Sequence, residues 1–176
     1  MSAAGGGAKF VTDAVRAYIG RESTIELACD AVERGAIRRY VQAIMDEDAR
    51  FAGGEIAPLL FPTHMFRRGF GAPDPIQANV ANPDFDGVAD GVGATAAQGL
   101  PEIEPLRHLR LMNGGAELEL FRHARAGERV TVRSRYADIV ERATAKGPMV
   151  FVTIESEFRT AGGELLLRVR TTMIRL

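Results

Sequence analysis

The sequence predicts an α+β domain in which one early apolar helix packs on a late antiparallel sheet. Three observations carry this. Residues 31–45 repeat apolar side chains at helical spacing. Residues 129–175 hold three runs that alternate apolar and polar side chains. The two halves are separated by a stretch, 69–101, in which neither period survives. A long central helix wrapped by a curved antiparallel sheet is the simplest packing that buries the helix stripe. The strand order stays open at this level.

The elements follow in chain order. Residues 1–9 are Ala, Gly and polar residues with nothing to bury, so they are expected to be a disordered tail, leaving 10–176 as one domain. Phe10, Val11, Ala14, Val15, Ala17 and Tyr18 have the spacing of a short helix, ended at Gly20. Ser23 to Ala28 alternates, with Ile25 and Leu27 on one side, and predicts a short strand. From Ala31 to Met45, Val32, Ala36, Ile37, Tyr40, Val41 and Ile44 form a broad stripe on a helix of about four turns. Its width predicts a central, largely buried helix, with Asp30 as the N-cap. Gly35 costs that helix up to ~1 kcal/mol, which suggests a close backbone approach there.

Residues 69–101 carry Gly69, Gly71, Gly87, Gly91, Gly93 and Gly99 with Pro73, Pro75, Pro83 and Pro101. A long segment of this kind inside a domain is expected to be a lid or binding loop. His108 to Phe121 offers one or two strands around Gly114-Gly115, with His108 a structural residue in a strand Leu106 to Met112. Strands at 129–138, 149–158 and 165–175 then form a meander, turning at Lys146-Gly147-Pro148 and Gly162-Gly163. These strands carry aliphatic and β-branched residues on both faces, more apolar surface than one helix covers, so a dimer or larger assembly is expected.

Composition narrows the function. Lys+Arg number 22 and Asp+Glu 23, a net charge of -1, which argues against a nucleic-acid binder. The lone cysteine, Cys29, excludes an intramolecular disulfide and a thiolate metal cluster; it reads as a small core residue. No Gly-rich phosphate loop, dinucleotide fingerprint or spaced His/Cys set occurs, so no cofactor or metal is expected. No run approaches the ~18 apolar residues of a membrane span, and the N-terminus lacks a signal-peptide pattern, so a cytoplasmic protein is expected.

A few residues suggest chemistry. Asp46, Glu47 and Asp48 close the long helix, where anions oppose the helix dipole. An aspartate poised beside a histidine can hold a water for addition or elimination. His64 follows Pro62-Thr63, and His123 precedes a turn and is expected to be exposed. Asn113-Gly114-Gly115 reads as a turn, or alternatively as bare backbone amides facing a carbonyl ligand.

The order of these pieces is recognisable. It runs from the helix Val32 to Ile44 with Asp46 to Pro62-Thr63, then Asn113-Gly114-Gly115-Ala116-Glu117. Arg125-Ala126-Gly127-Glu128-Arg129-Val130 and the Gly162-Gly163-Glu164 hairpin complete it. Over about residues 18–176 the chain resembles the N-terminal domain of MaoC-like dehydratases, the half related to the dehydratase region of type I fatty acid synthase. The resemblance implies a hot-dog fold whose members pair through their sheets as homodimers or heterodimers. It implies binding of an acyl-CoA or acyl-carrier-protein thioester, and (R)-specific hydration of trans-2-enoyl groups. The expected substrate contacts are Thr63, Asn113, Gly114 and Gly115.

The catalytic pattern of that family is D-x-N-P-x-H at the helix end, where Asp and His activate the water. Here Asp46 matches the Asp, Asp48 stands for Asn, Ala49 for Pro and Phe51 for His. The expectation is therefore a non-catalytic, acyl-pocket-forming subunit partnered by a catalytic hot-dog chain. Two rivals remain: a self-sufficient hydratase or thioesterase using His64 and Asp46 as catalytic residues, and a homodimeric acyl-thioester-binding protein without turnover.

Overall fold

The computed structural model describes residues 10–66, 71, 77, 81–83, 99–145 and 147–176. The expected tail 1–9 and most of the expected lid 69–101 lie outside the described residues. Helix α1 is Asp13–Arg16, with Thr12 as N-cap and its hydroxyl accepting the Val15 N–H. Strand β1 (Glu26–Leu27) is followed by helices α2 (Arg34–Ala43) and α3 (Ala49–Ala52). Short 3-10 helices lie at Phe61–His64 and Glu104–Leu106. Strands β2 (Leu111–Leu120), β3 (Val130–Thr144), β4 (Gly147–Thr160) and β5 (Leu165–Arg175) complete the chain.

The five strands form one antiparallel sheet in the order β1-β3-β4-β5-β2. The meander β3-β4-β5 is its centre, as the alternation predicts, and β1 and β2 are its edges. Strand β5 spans the residues predicted for it, whereas β3 runs on to Thr144 and β4 outruns its predicted span at both ends. Thr144 pairs with Gly147 and Ala143 with Pro148, so Gly147 and Pro148 are strand, not turn. Lys146 lies outside the described residues.

Side chains of the inner face alternate into two apolar clusters. One joins Val11, Val15, Leu106, Tyr136, Ile139, Val150 and Val152. The other joins Val32, Ile37, Phe61, Val130, Val132, Phe158, Leu166 and Leu167. Register neighbours Ser134 and Ser156 lie between them along the strands and share a buried hydroxyl hydrogen bond of 2.8 Å. Burying one such aliphatic or aromatic side chain contributes about 1.5–3 kcal/mol, so the clusters hold the sheet to its covering segments. The Tyr136 phenol is pushed up to about 12 by burial and donates to the Pro101 carbonyl.

Helix α2 corrects the expectation in three ways. It is ten residues long, because Val32 is held in extended form by hydrogen bonds to Glu128 and Gly127 of the 125–128 turn. Its N-cap is Glu33, which makes no side-chain capping bond, so Asp30 does not cap it. It is amphipathic rather than largely buried. Only Ile37 is buried; Ala36, Tyr40 and Val41 pack partly buried on the second cluster, while Ile44 and Met45 are exposed. Cys29 is likewise exposed rather than in the core. His108 is exposed in the chain between the second 3-10 helix and β2, not in a strand.

The close backbone approach is also elsewhere. At Gly35 an added Cβ would meet nothing nearer than the Arg39 guanidinium, at 3.4 Å. At Gly54, φ is +73° and a Cβ would lie 2.6 Å from the Arg34 carbonyl oxygen in the first turn of α2. Gly54→Ala therefore combines left-handed backbone strain with a backbone clash. The expected cost is about 2 kcal/mol or more, read as a fall of several degrees in the thermal midpoint. Gly35→Ala should leave the midpoint unchanged or raise it.

The outer face of the sheet is charged where the alternation alone predicts mixed apolar surface. In one row Arg133, Glu157, Arg168 and Glu119 stand opposite one another across β3, β4, β5 and β2; in the next, Arg135, Glu155, Arg170 and Glu117 do. Glu22, beside β1, pairs with Arg133. Burial pushes the Glu155 carboxyl up, but hydrogen bonds from Arg170 and Arg135 outweigh it and hold it below the usual glutamate range. Arg159 and Arg168 do the same for Glu157. No helix of the described residues is long and apolar enough to cross a membrane.

Candidate functional site

The candidate site starts where α2 ends. Met45 adopts φ 54°, and the Asp46 N–H donates to Val41 O at 3.1 Å, which turns the chain out of the helix. The Asp46 carboxylate then accepts the Asp48 N–H at 3.0 Å. Asp48 is the N-cap of α3: it accepts the Arg50 N–H at 2.9 Å and the Arg50 guanidinium at 2.6 Å. Those bonds, with a smaller contribution from His123, hold Asp48 below the usual carboxylate range. The acidic run that opposes the dipole of α2 is thus in part the capping device of the next helix, where a carboxylate is favourable.

Phe51, on α3, is buried. Its ring meets the His123 imidazole edge-on, with centroids 5.6 Å apart, and the Arg50 guanidinium lies 5.3 Å from its centroid. His123 donates from Nδ1 to the Ala57 carbonyl at 2.8 Å, because a carbonyl can only accept. With Nδ1 donating, the neutral tautomer of this ring is the one with its lone pair on Nε2. The sequence predicts an exposed His123; in the structure it is half-buried. A bridge between Ile56 and Arg125 and the bond from Ala57 N to Ala124 O draw its loop onto residues 54–58. A phenyl group exchanges no proton, so position 51 offers no general base.

Thr63 and His64 lie on the first 3-10 helix. Thr63 donates its hydroxyl to Leu60 O at 2.7 Å. His64 is exposed, with its ring 5.2 Å from that of Tyr40, which meets Phe61 edge-on at 5.5 Å. Burial raises the Tyr40 phenol above its ordinary value.

Asn113, Gly114 and Gly115 form a bulge inside β2 rather than a turn before it. Asn113 Oδ1 accepts the Gly115 N–H at 2.8 Å, and Gly115 adopts φ 107°. At Gly114 a Cβ would lie 2.9 Å from Thr172 O, so β2 and β5 approach there closely enough to demand glycine. Tyr40 and Phe61, beside Thr63 and His64, pack on the second cluster; Asn113 pairs with Met173, which packs on the first. A separate groove of about 620 Å³ lies on the charged outer face, between Glu22 and Arg170. Asp46, Phe51, Thr63, His64 and the Asn113 to Gly115 bulge do not line it.

Against known families, residues 74–169 match the FAS1-like, dehydratase domain region. The chain belongs to this family. The ChsH1-ChsH2 complex from Mycobacterium tuberculosis is similar in structure to this dehydratase-region chain. The TM-score is 0.63 and the identity 21%, over 93% of this chain and 89% of that one. A MaoC-like dehydratase is similar with a TM-score of 0.50 and 16% identity, over 92% of this chain and 43% of that one. No curated protein matches in sequence. The dehydratase-region chain has the hot-dog fold its motif order implied, with a shorter helix than expected on the inner face of the sheet.

Proposed function

We propose that this chain is the non-catalytic, acyl-pocket-forming subunit of an (R)-specific enoyl-CoA hydratase or dehydratase, working with a catalytic hot-dog partner. The observation that carries this is the buried Phe51 in the helix-end position where a water-activating histidine would stand. The structurally similar ChsH1-ChsH2 is a complex, which supports an assembly of this kind. The edge strand β2 supplies a surface for it. Among the described residues one side of this strand has no neighbouring strand in the sheet, and Leu118 and Leu120 are exposed beside Phe121. The ligand is an acyl thioester of CoA or of a carrier protein, contacted by Thr63 and by the Asn113 to Gly115 bulge.

A second reading keeps His64 and Asp46 as the acid–base pair of a self-sufficient hydratase or thioesterase. It is favoured by the solvent-facing imidazole of His64 beside Tyr40. Hydrogen exchange with the partner present tests the ligand site. A saturating enoyl-CoA should slow amide exchange at Asn113 to Gly115 and leave the hairpin at Gly162-Gly163 unchanged. Unaltered exchange at Asn113 to Gly115 at saturating ligand would remove the acyl-binding role. Binding without turnover in any assembly would instead favour a homodimeric acyl-binding protein.

A further inference from the structure

We infer that the partner strand added to β2 carries basic residues on its outer face, opposite Glu117 and Glu119, and that this charge pattern disfavours pairing of two copies of this chain. The inference rests on the reading of β2 as the partner interface and adds its selectivity. Across the outer face each row of side chains alternates in sign. One row runs Arg133, Glu157, Arg168, Glu119; the other runs Arg135, Glu155, Arg170, Glu117. The alternation is made of real contacts. Arg168 bridges Glu157 at 3.0 Å and Glu119 at 2.8 Å, and Glu155 is held by Arg135 at 2.7 Å and by Arg170 at 2.8 Å. Among the described residues both rows end on a glutamate of the edge strand β2, and both glutamates are exposed.

Directly opposed residues of an antiparallel pair point to the same face, so the next strand continues or breaks the alternation. A basic residue continues it. Suppose instead that two copies of this chain pair β2 with β2 about a two-fold axis at residue 117, 118 or 119. Glu117 then faces Glu117, Glu117 faces Glu119, or Glu119 faces Glu119. Like charges directly opposite destabilise such a pair. The exposed apolar residues of β2 provide attraction without choosing a partner, and the acidic ends of the rows choose it.

The chain itself provides the test. The double variant Glu117→Lys with Glu119→Lys supplies a basic edge, and far-ultraviolet circular dichroism checks that it folds. Sedimentation equilibrium is run at low salt on the wild type, on the variant and on their equimolar mixture. The mixture should associate about tenfold more tightly than either protein alone, and the advantage should fade at high salt. A mixture no tighter than the wild type alone overturns the inference. A second variant, Leu118→Asp with Leu120→Asp, separates this from the interface reading. If it weakens association while the mixture shows no advantage, only the charge inference fails. If it leaves every association unchanged, β2 is not the interface and both fail.

Discussion

The purified chain is expected to hydrate crotonyl-CoA and longer enoyl-CoAs about 10²–10⁴-fold more slowly than a hot-dog hydratase with its helix-end histidine, the usual cost of losing a general base. Phe51 is buried, and the imidazole nearest to it, that of His123, spends Nδ1 on the Ala57 carbonyl. Asp46 is engaged by the Asp48 N–H and holds the turn after α2. Loss of enoyl-thioester absorbance reads the rate directly. Adding the catalytic partner should restore it. Robust hydration by the isolated chain, abolished by His64→Ala, would replace the subunit reading with the self-sufficient one.

Phe158→Ala should have the largest effect on stability, a loss of about 3–5 kcal/mol. Phe158 is 1% exposed and pairs in register with Val132 and Leu167. Its ring lies 5.7 Å from that of Phe66. Its cluster also contains Ile37 of α2 and Phe61 of the 3-10 helix, so truncation loosens the sheet from both segments that carry the candidate site. Denaturant titration measures the loss directly, and the thermal midpoint should fall by roughly 10 °C. A loss below about 1.5 kcal/mol would mean that the cluster closes over the gap and is not packed as described.

The alternation at 129–138, 149–158 and 165–175 and the glycines at 162–163 were enough to place the meander and its second hairpin. A period of two is a local signal, set by pleat geometry within each strand. The order of the helix, Asp46, the Asn113-Gly114-Gly115 piece and the Gly162-Gly163 hairpin was enough to point to the family. The departure at Phe51 was equally plain, because it is a single residue at a known place in a motif. None of these needs a partner from elsewhere in the chain.

What the tertiary structure decided depends on such partners. The start of α2 moved to Arg34 because Val32 bonds residues 127 and 128. Position 114 admits only glycine because a Cβ there would lie 2.9 Å from Thr172 O of β5. His123 is held against Phe51 by the bridge that ties its loop to residue 56. The rows of alternating charge are the clearest case. Alternation along each strand marks Arg133, Glu157, Arg168 and Glu119 as outward. Only the register between strands sets them side by side, and register comes from the fit of the whole inner face against its clusters, a sum over contacts far apart in the chain.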